Sequence, residues 1–287
     1  MNGERLGTFE GHQGAVWSND CNWDATSAVT GAADNSARLL DLETGKEIAK
    51  FETKTAVRSV NFSYSGNQIL YTTDQAMRYK YEINVIDIAS GNEQVYHFEN
   101  TGSLSNEKPT SSLWGPLDET ILTGHDNGFL KKWDLRNPSE VLIEKRPHKF
   151  TIMDMQYSPN DQTMFVTASK DNTSQLIDTE SFDVMKTYKT GRPVNSAAIS
   201  PIREHVVLGG GQEAMNVTTT DARQGQFQAR FFHLVFEEEF AGVKGHFGPI
   251  NSLAFHPDGK SFSSGGEDGF VRIQSFDPEY FDFRLEC

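Results

Sequence analysis

Cysteine is almost absent from this chain: among 287 residues only Cys21 and Cys287 occur. Two thiols so far apart make no disulfide framework, which points to a reducing compartment. Cys21 falls on an apolar strand position, where a buried thiol would act as a small hydrophobe. Long apolar runs are also missing. No stretch approaches the roughly 18 residues of a membrane-spanning helix, and Met1-Asn2-Gly3-Glu4-Arg5 lacks the apolar core of a secretory signal. A cytoplasmic protein with no membrane partner is therefore expected. Basic charge is scarce, with 26 Lys and Arg against 40 Asp and Glu, a net charge of −14. That balance argues against nonspecific attraction to nucleic acid or anionic lipid, so work near RNA would need another subunit to do the binding.

What the chain does have is repetition. Gly11-His12 is followed by Asp34, and Gly245-His246 by Asp268, in both cases 22 residues from His to Asp. A hydroxyl stands four positions before each Asp, Thr30 and Ser264. His148, Thr167 and Asp171 make a third copy with a spacing of 23. Self-similarity at a period of about 40 to 45, opening on Gly-His and closing on Trp-Asp, is the signature of a WD40-type β-propeller. Apolar residues also recur at positions 0, +3 and +5, as in Val57/Val60/Phe62, Ile152/Met155/Tyr157, Val194/Ala197/Ile199 and Ile250/Leu253/Phe255. The step from +3 to +5 is the period of a half-buried strand. Third strands close on Leu40-Asp41, Trp133-Asp134 and Ile177-Asp178. Six repeats are expected, opening near residues 11, 53, 106, 147, 190 and 245, in one all-β propeller domain over 1–287.

The His, hydroxyl and Asp set has a structural use. A buried Asp in a tight turn needs donors, and an imidazole and a hydroxyl can link to it. Trp133 can extend such a network through its indole N–H, although Asn127 stands where that repeat's Asp would be and the nearest Asp, Asp126, is one position early. A hydrolase triad is the competing reading, but a set that recurs in three repeats is structural, so no catalytic residue is assigned. No metal or cofactor is expected either. His12, His148 and His246 lack partners at zinc spacing. Gly209-Gly210-Gly211 is not followed by Gly-Lys-Ser/Thr, which favours close packing over a phosphate cradle. Glu237-Glu238-Glu239 reads as protection of a sheet edge, with an acidic recognition patch as the alternative. Loops are expected over 100–109 and 213–226.

These residues also carry a resemblance. Arg192-Pro193-Val194-Asn195-Ser196-Ala197-Ala198, His205-Val206-Val207-Leu208-Gly209-Gly210-Gly211-Gln212-Glu213-Ala214-Met215, Lys244-Gly245-His246-Phe247-Gly248-Pro249-Ile250 and Phe165-Val166-Thr167-Ala168-Ser169-Lys170-Asp171-Asn172 resemble the family of subunit i of the third eukaryotic translation initiation factor. The likeness covers essentially the whole chain, and generic WD40 repeats do not share it. It implies a non-enzymatic scaffold that contacts subunits b and g, reaches the small ribosomal subunit through the complex, and supports preinitiation-complex assembly and scanning. An adaptor in receptor-kinase signalling is the alternative it leaves. In the family a Leu-x-Asp on a third strand contributes to the contact with a C-terminal helix of subunit b, and the matching positions are Leu176 and Asp178. Residues two apart on a strand share a face; the competing reading packs Leu176 against the next blade. Gln212, in the place of a turn Asp, is a secondary candidate.

The family begins about one repeat earlier than Met1. Glu4-Arg5-Leu6-Gly7-Thr8-Phe9 precedes a Gly-His as the family's own first strand does, and is expected to pair beside the last blade if six blades close the ring.

Overall fold

The computed structural model describes residues 7–76, 78–91, 93–99, 107–211 and 227–282. They fold as six antiparallel sheets, the blades of a β-propeller fold. The first sheet holds β1 (Val16–Cys21), β2 (Ser27–Ala32), β3 (Ser36–Asp41) and β4 (Glu47–Glu52). The second holds β5 (Val57–Phe62), β6 (Gln68–Thr73), β7 (Glu82–Asp87) and β8 (Glu93–Glu99). The third holds β9 (Pro109–Trp114), β10 (Thr120–His125), β11 (Leu130–Asp134) and β12 (Asn137–Lys145). The fourth follows with β13 (Ile152–Tyr157), β14 (Met164–Ser169), β15 (Thr173–Asp178) and β16 (Val184–Lys189). The fifth has β17 (Val194–Ile199), β18 (His205–Gly210), β19 (Gln228–His233) and β20 (Glu239–Lys244). The sixth shows β21 (Ile250–Phe255), β22 (Ser261–Gly266) and β23 (Val271–Ser275), followed by a short helix α1 (Pro278–Asp282). Each expected repeat opening lies a few residues before a first strand.

The chain divides into two compact units, Met1–Ile152 and Met153–Cys287. Within the first, the 0/+3/+5 residues of β5, Val57, Val60 and Phe62, pack against Val29, Ala37 and Leu39 of the preceding sheet. Within the second, Ile250 and Leu253 pack against Val207, Ala229 and Phe231 in the same way. Small residues make these contacts possible. A Cβ at Gly31 would stand 2.7 Å from Val57 Cγ1, and one at Gly209 would stand 2.6 Å from Leu253 Cδ1. In both units the expected face therefore locks a sheet to the one before it.

Cys21 departs from expectation: it is exposed, not buried. Its strand fits the 0/+3/+5 pattern only in part, with Asn19 at +3, and Val16 at position 0 is itself 50% exposed. β1 is the first strand of its unit, and within that unit no sheet precedes it. Cys287 and the segment 213–226 lie outside the described residues, as do 100–106 of the expected loop before β9. Of the expected strand over 4–9, residues 4–6 also lie outside them, and Gly7, Thr8 and Phe9 carry no strand assignment.

Candidate functional site

The two complete His, hydroxyl and Asp sets assemble as the spacing requires. His12 Nδ1 lies 2.9 Å from Asp34 Oδ2, and its Nε2 lies 2.8 Å from Thr30 Oγ1. His246 repeats the geometry, with Nδ1 3.0 Å from Asp268 Oδ1 and Nε2 2.8 Å from Ser264 Oγ. A carboxylate accepts only, so in the His12 set the imidazole proton resides on Nδ1 and the hydroxyl donates to Nε2; in the His246 set Arg272 Nη1 also lies 2.8 Å from Nδ1. The backbone joins in: Gln13 N–H donates to Asp34 Oδ2 at 3.0 Å, and Phe247 N–H donates to Asp268 Oδ2 at 3.1 Å. Each set thereby ties the loop before a first strand to the turn between the second and third strands.

The same crowding explains a glycine two residues after each His. A Cβ at Gly14 would stand 2.7 Å from Asp34 N, and one at Gly248 would stand 3.2 Å from Asp268 N. Burial pushes both carboxyls up, yet the hydrogen bonds outweigh it. For Asp34 the donors are Ser36, the Gln13 N–H and His12; for Asp268 they are His246 and the Phe247 and Phe270 N–H groups. Both carboxyls end well below the usual carboxylate range.

Sequence reasoning missed one member of each set. Arg38 and Arg272 both stand four residues after the Asp. Arg272 Nη1 donates to Asp268 Oδ2 at 3.0 Å, whereas Arg38 Nη2 lies 4.0 Å from Asp34 Oδ2 and its Nη1 turns to Glu47. The shared Asp-x-x-x-Arg spacing was the available signal. His246→Ala should lower stability by about 1 to 3 kcal/mol, the cost of leaving a buried Asp268 and Ser264 without their partner. His12→Ala should cost less, because the His12 side chain is 10% exposed against 3% for His246. Urea midpoints of the two variants measure the difference, and unchanged midpoints would remove the network from the account of stability.

Of the third copy, His148 belongs to the first unit and Thr167 and Asp171 to the second. His148, in the first unit, is buried, and its N–H reaches Gly128 O at 3.4 Å. In the second unit, Thr167 Oγ1 donates to Gln175 O at 3.2 Å, and Asp171 Oδ1 accepts the Thr173 N–H at 3.1 Å. The third sheet carries a substitute built inside one hairpin. Trp133 Nε1 donates to Thr123 Oγ1 at 2.9 Å, as the Trp spacing predicts, and Thr123 Oγ1 lies 2.9 Å from His125 Nε2. His125, two residues after the threonine, supplies the imidazole that the Gly-His position lacks here. Asp126 instead holds the Lys108 N–H, at 3.0 Å.

A second missed group couples first strands of neighbouring sheets. Ser18 Oγ accepts the Val60 N–H at 3.1 Å, and Asp20 Oδ2 accepts the Phe62 N–H at 2.8 Å. In the second unit Ser196 Oγ donates to Asp154 Oδ2 at 2.6 Å and accepts the Leu253 N–H at 3.0 Å. Ser18, Ser59, Asp154 and Ser196 all occupy position +2 of a first strand, a polar recurrence that was legible beside the apolar one. Burial pushes the carboxyls of Asp20 and Asp154 up.

Chemically these sets hold backbone in place. Ser264 is 2% exposed, so the one serine in triad-like register presents no accessible nucleophile. Among the described residues no group of three or more His, Cys, Asp or Glu could hold a metal ion, and no helix is long and apolar enough to cross a membrane. Gly209 and Gly210 lie in β18, packed against Leu253 and Pro193. Glu239 opens the outer strand β20, 3.6 Å from Arg230, and Glu237 lies 3.4 Å from Lys186.

Of the partner candidates, Leu176 is 3% exposed and packs with Val194, Ala197 and Phe232. Asp178 is half-buried and caps its turn, its Oδ2 accepting the Ser181 N–H and hydroxyl, both at 2.8 Å. Those bonds hold its carboxyl below the usual range. Gln212 lies outside the described residues.

Comparison with known proteins places the chain in a family. The family model described as EIF3I matches residues 1–286. Eukaryotic translation initiation factor 3 subunit I of Drosophila melanogaster is 58% identical over 98% of this chain and 87% of the relative. The protein of the same name from Bombyx mori is 58% identical over 100% of this chain and 87% of the relative.

Proposed function

This chain belongs to the eukaryotic translation initiation factor 3 subunit I family, and we propose from that membership that it works as a cytoplasmic, non-catalytic scaffold inside the complex. Its role in translation initiation and its place in initiation factor 3 follow from the family. The proposal concerns the manner: contacts with subunits b and g that support preinitiation-complex assembly and scanning on the small ribosomal subunit. The observation that carries it is the use of the His, hydroxyl and Asp sets. They are spent on turns, with Ser264 buried, which leaves a rigid platform and not a reaction centre. A net charge of −14 suits protein partners better than RNA.

For subunit b the contact rests on Asp178, because Leu176 is committed to the core. Asp178 stands at the end of β15, where its charge can meet a basic residue of a docked helix. Asp178→Lys reverses that charge, and Asp178→Asn removes it while keeping an acceptor for the Ser181 bonds. Titration calorimetry with a peptide from the C-terminus of subunit b should show weaker binding for both, with the lysine variant the weaker. Parental affinity in both variants would rule out this contact. Failure of the tagged chain to co-purify with initiation factor subunits would overturn the scaffold reading itself.

A further inference from the structure

We propose that the rim formed by the β1–β2, β5–β6 and β9–β10 turns is a docking surface for a basic amphipathic segment of a partner protein. The three turns lie in one unit, and each presents a large apolar side chain to solvent. Trp23 is 72% exposed, Tyr64 60% and Leu117 85%. They form a connected patch. The Trp23 and Tyr64 rings meet edge to face with centroids 5.6 Å apart. The Tyr64 and Ser65 N–H groups donate to the two carboxylate oxygens of Asp118 at 2.7 and 2.9 Å, which fastens the third turn to the second.

Backbone conformation shows that the display is not incidental. Ala25, Leu117 and Asp118 have φ of 50°, 59° and 56°, the left-handed region that glycine occupies without strain. A turn required only to be tight would place glycine there. Leu117 instead keeps a branched apolar side chain in a strained conformation and points it into water, a combination that occurs where the side chain has a use. Trp and Tyr are also the residue types that anchor protein interfaces.

Charge selects the partner. The turns at this end of the three sheets carry Asp24, Glu43, Asp118 and Glu119 against Lys46 and Arg136, and Arg136 is already paired with Glu119 at 2.7 Å. The carboxylates of Asp41, Asp87 and Asp134 end their third strands at the same rim, where each accepts a turn N–H. A rim with this excess of carboxylate repels RNA and anionic lipid. It attracts Lys and Arg, whose side chains can also lie on the Trp23 and Tyr64 rings. A helix with apolar anchors three and four residues apart and basic flanks fits both features. This inference is independent of which assembly the chain joins.

The test uses the full chain and two synthetic amphipathic helices of about 18 residues, identical in their leucines and carrying either lysine or glutamate on the flanks. In titration calorimetry the lysine helix should bind and the glutamate helix should not. Leu117→Asn, chosen because Asn tolerates the left-handed region, and Trp23→Ser should each weaken lysine-helix binding at least tenfold, with melting temperature unchanged. Should Leu117→Asn disturb the fold, Trp23→Ser reads the same surface from a different turn. Parental affinity in Trp23→Ser, equal binding of the two helices, or no binding of the lysine helix would overturn the proposal. So would binding of single-stranded RNA or phosphatidylserine vesicles that is lost in the same variants.

Discussion

Adding a methyl group at Gly128 is expected to destabilise the chain by about 3 kcal/mol or more in a urea titration. Gly128 follows Asn127 in the β10–β11 turn, with φ of 84°. An L side chain there carries a penalty of about 1 to 2 kcal/mol from the backbone alone. The larger cost comes from what the Cβ would meet. It would overlap the carbonyl of His148 and stand 3.1 Å from the carbonyl oxygen of Phe150. Both are backbone atoms that cannot rotate away, so the chain entering β13 would have to move. Gly269, the equivalent residue after Asp268, supplies the control. Its φ is 78°, and a Cβ there would meet nothing within 4 Å. Gly269→Ala should therefore cost only the conformational penalty, about 1 to 2 kcal/mol. Equal losses at the two positions would show that the close approach at Gly128 has no energetic weight.

That comparison also shows how far the sequence could be read. The position after the turn Asp holds Asn35, Asn172 and Gly269, and after Asn127 it holds Gly128; all four have positive φ. Asn and Gly are the residues that enter this region most readily, so the turn was legible from residue type alone. The 0/+3/+5 rule located first strands because those residues are the knobs that lock one sheet to the one before it. It misplaced Cys21 because β1 fits the rule only in part, with the polar Asn19 at +3. The His12 and His246 sets were legible because their members keep one spacing. Arg38, Arg272 and the polar residues at +2 escaped because each recurs without an apolar periodicity to draw attention. His125 was harder still: its imidazole reaches Thr123 from two residues away on the same strand, and no spacing rule from the other repeats applies to it. Leu176 and Asp178 show the limit for partner surfaces, since the sequence placed both on one face and only packing revealed that the leucine is spent on the core.

The second large effect should appear in acid, and it belongs to His125. This imidazole is wholly buried, its ring edge to face with Tyr81 at 6.2 Å and its Nε2 on Thr123. Burial, helped by the positive charge of Lys131, lowers its pKa from 6.5 to about 3. Lys131 is itself held between Glu107 and Glu144. Below pH 6.5 the unfolded chain takes up a proton that the folded chain refuses. Stability therefore falls as pH drops from 6.5 toward 3, at up to about 1.4 kcal/mol per pH unit for this one group. His125→Gln removes the titration while keeping a polar neighbour for Thr123. At neutral pH the variant should be the less stable, because it loses the ring packed on Tyr81. On acidification the parent should fall more steeply, so that the difference between the two shrinks as pH declines. His205, lowered to about 4 by burial, loses stability over a similar range in both proteins and cancels in the difference. Asp34 and Asp268 cancel as well: their depressed values give stability that is present above the ordinary carboxylate range and is lost only at lower pH. Urea titrations at intervals between about pH 7 and pH 4 would measure the two curves. If they run parallel, His125 takes up its proton in the folded chain as readily as in the unfolded one, and the buried neutral imidazole is wrong.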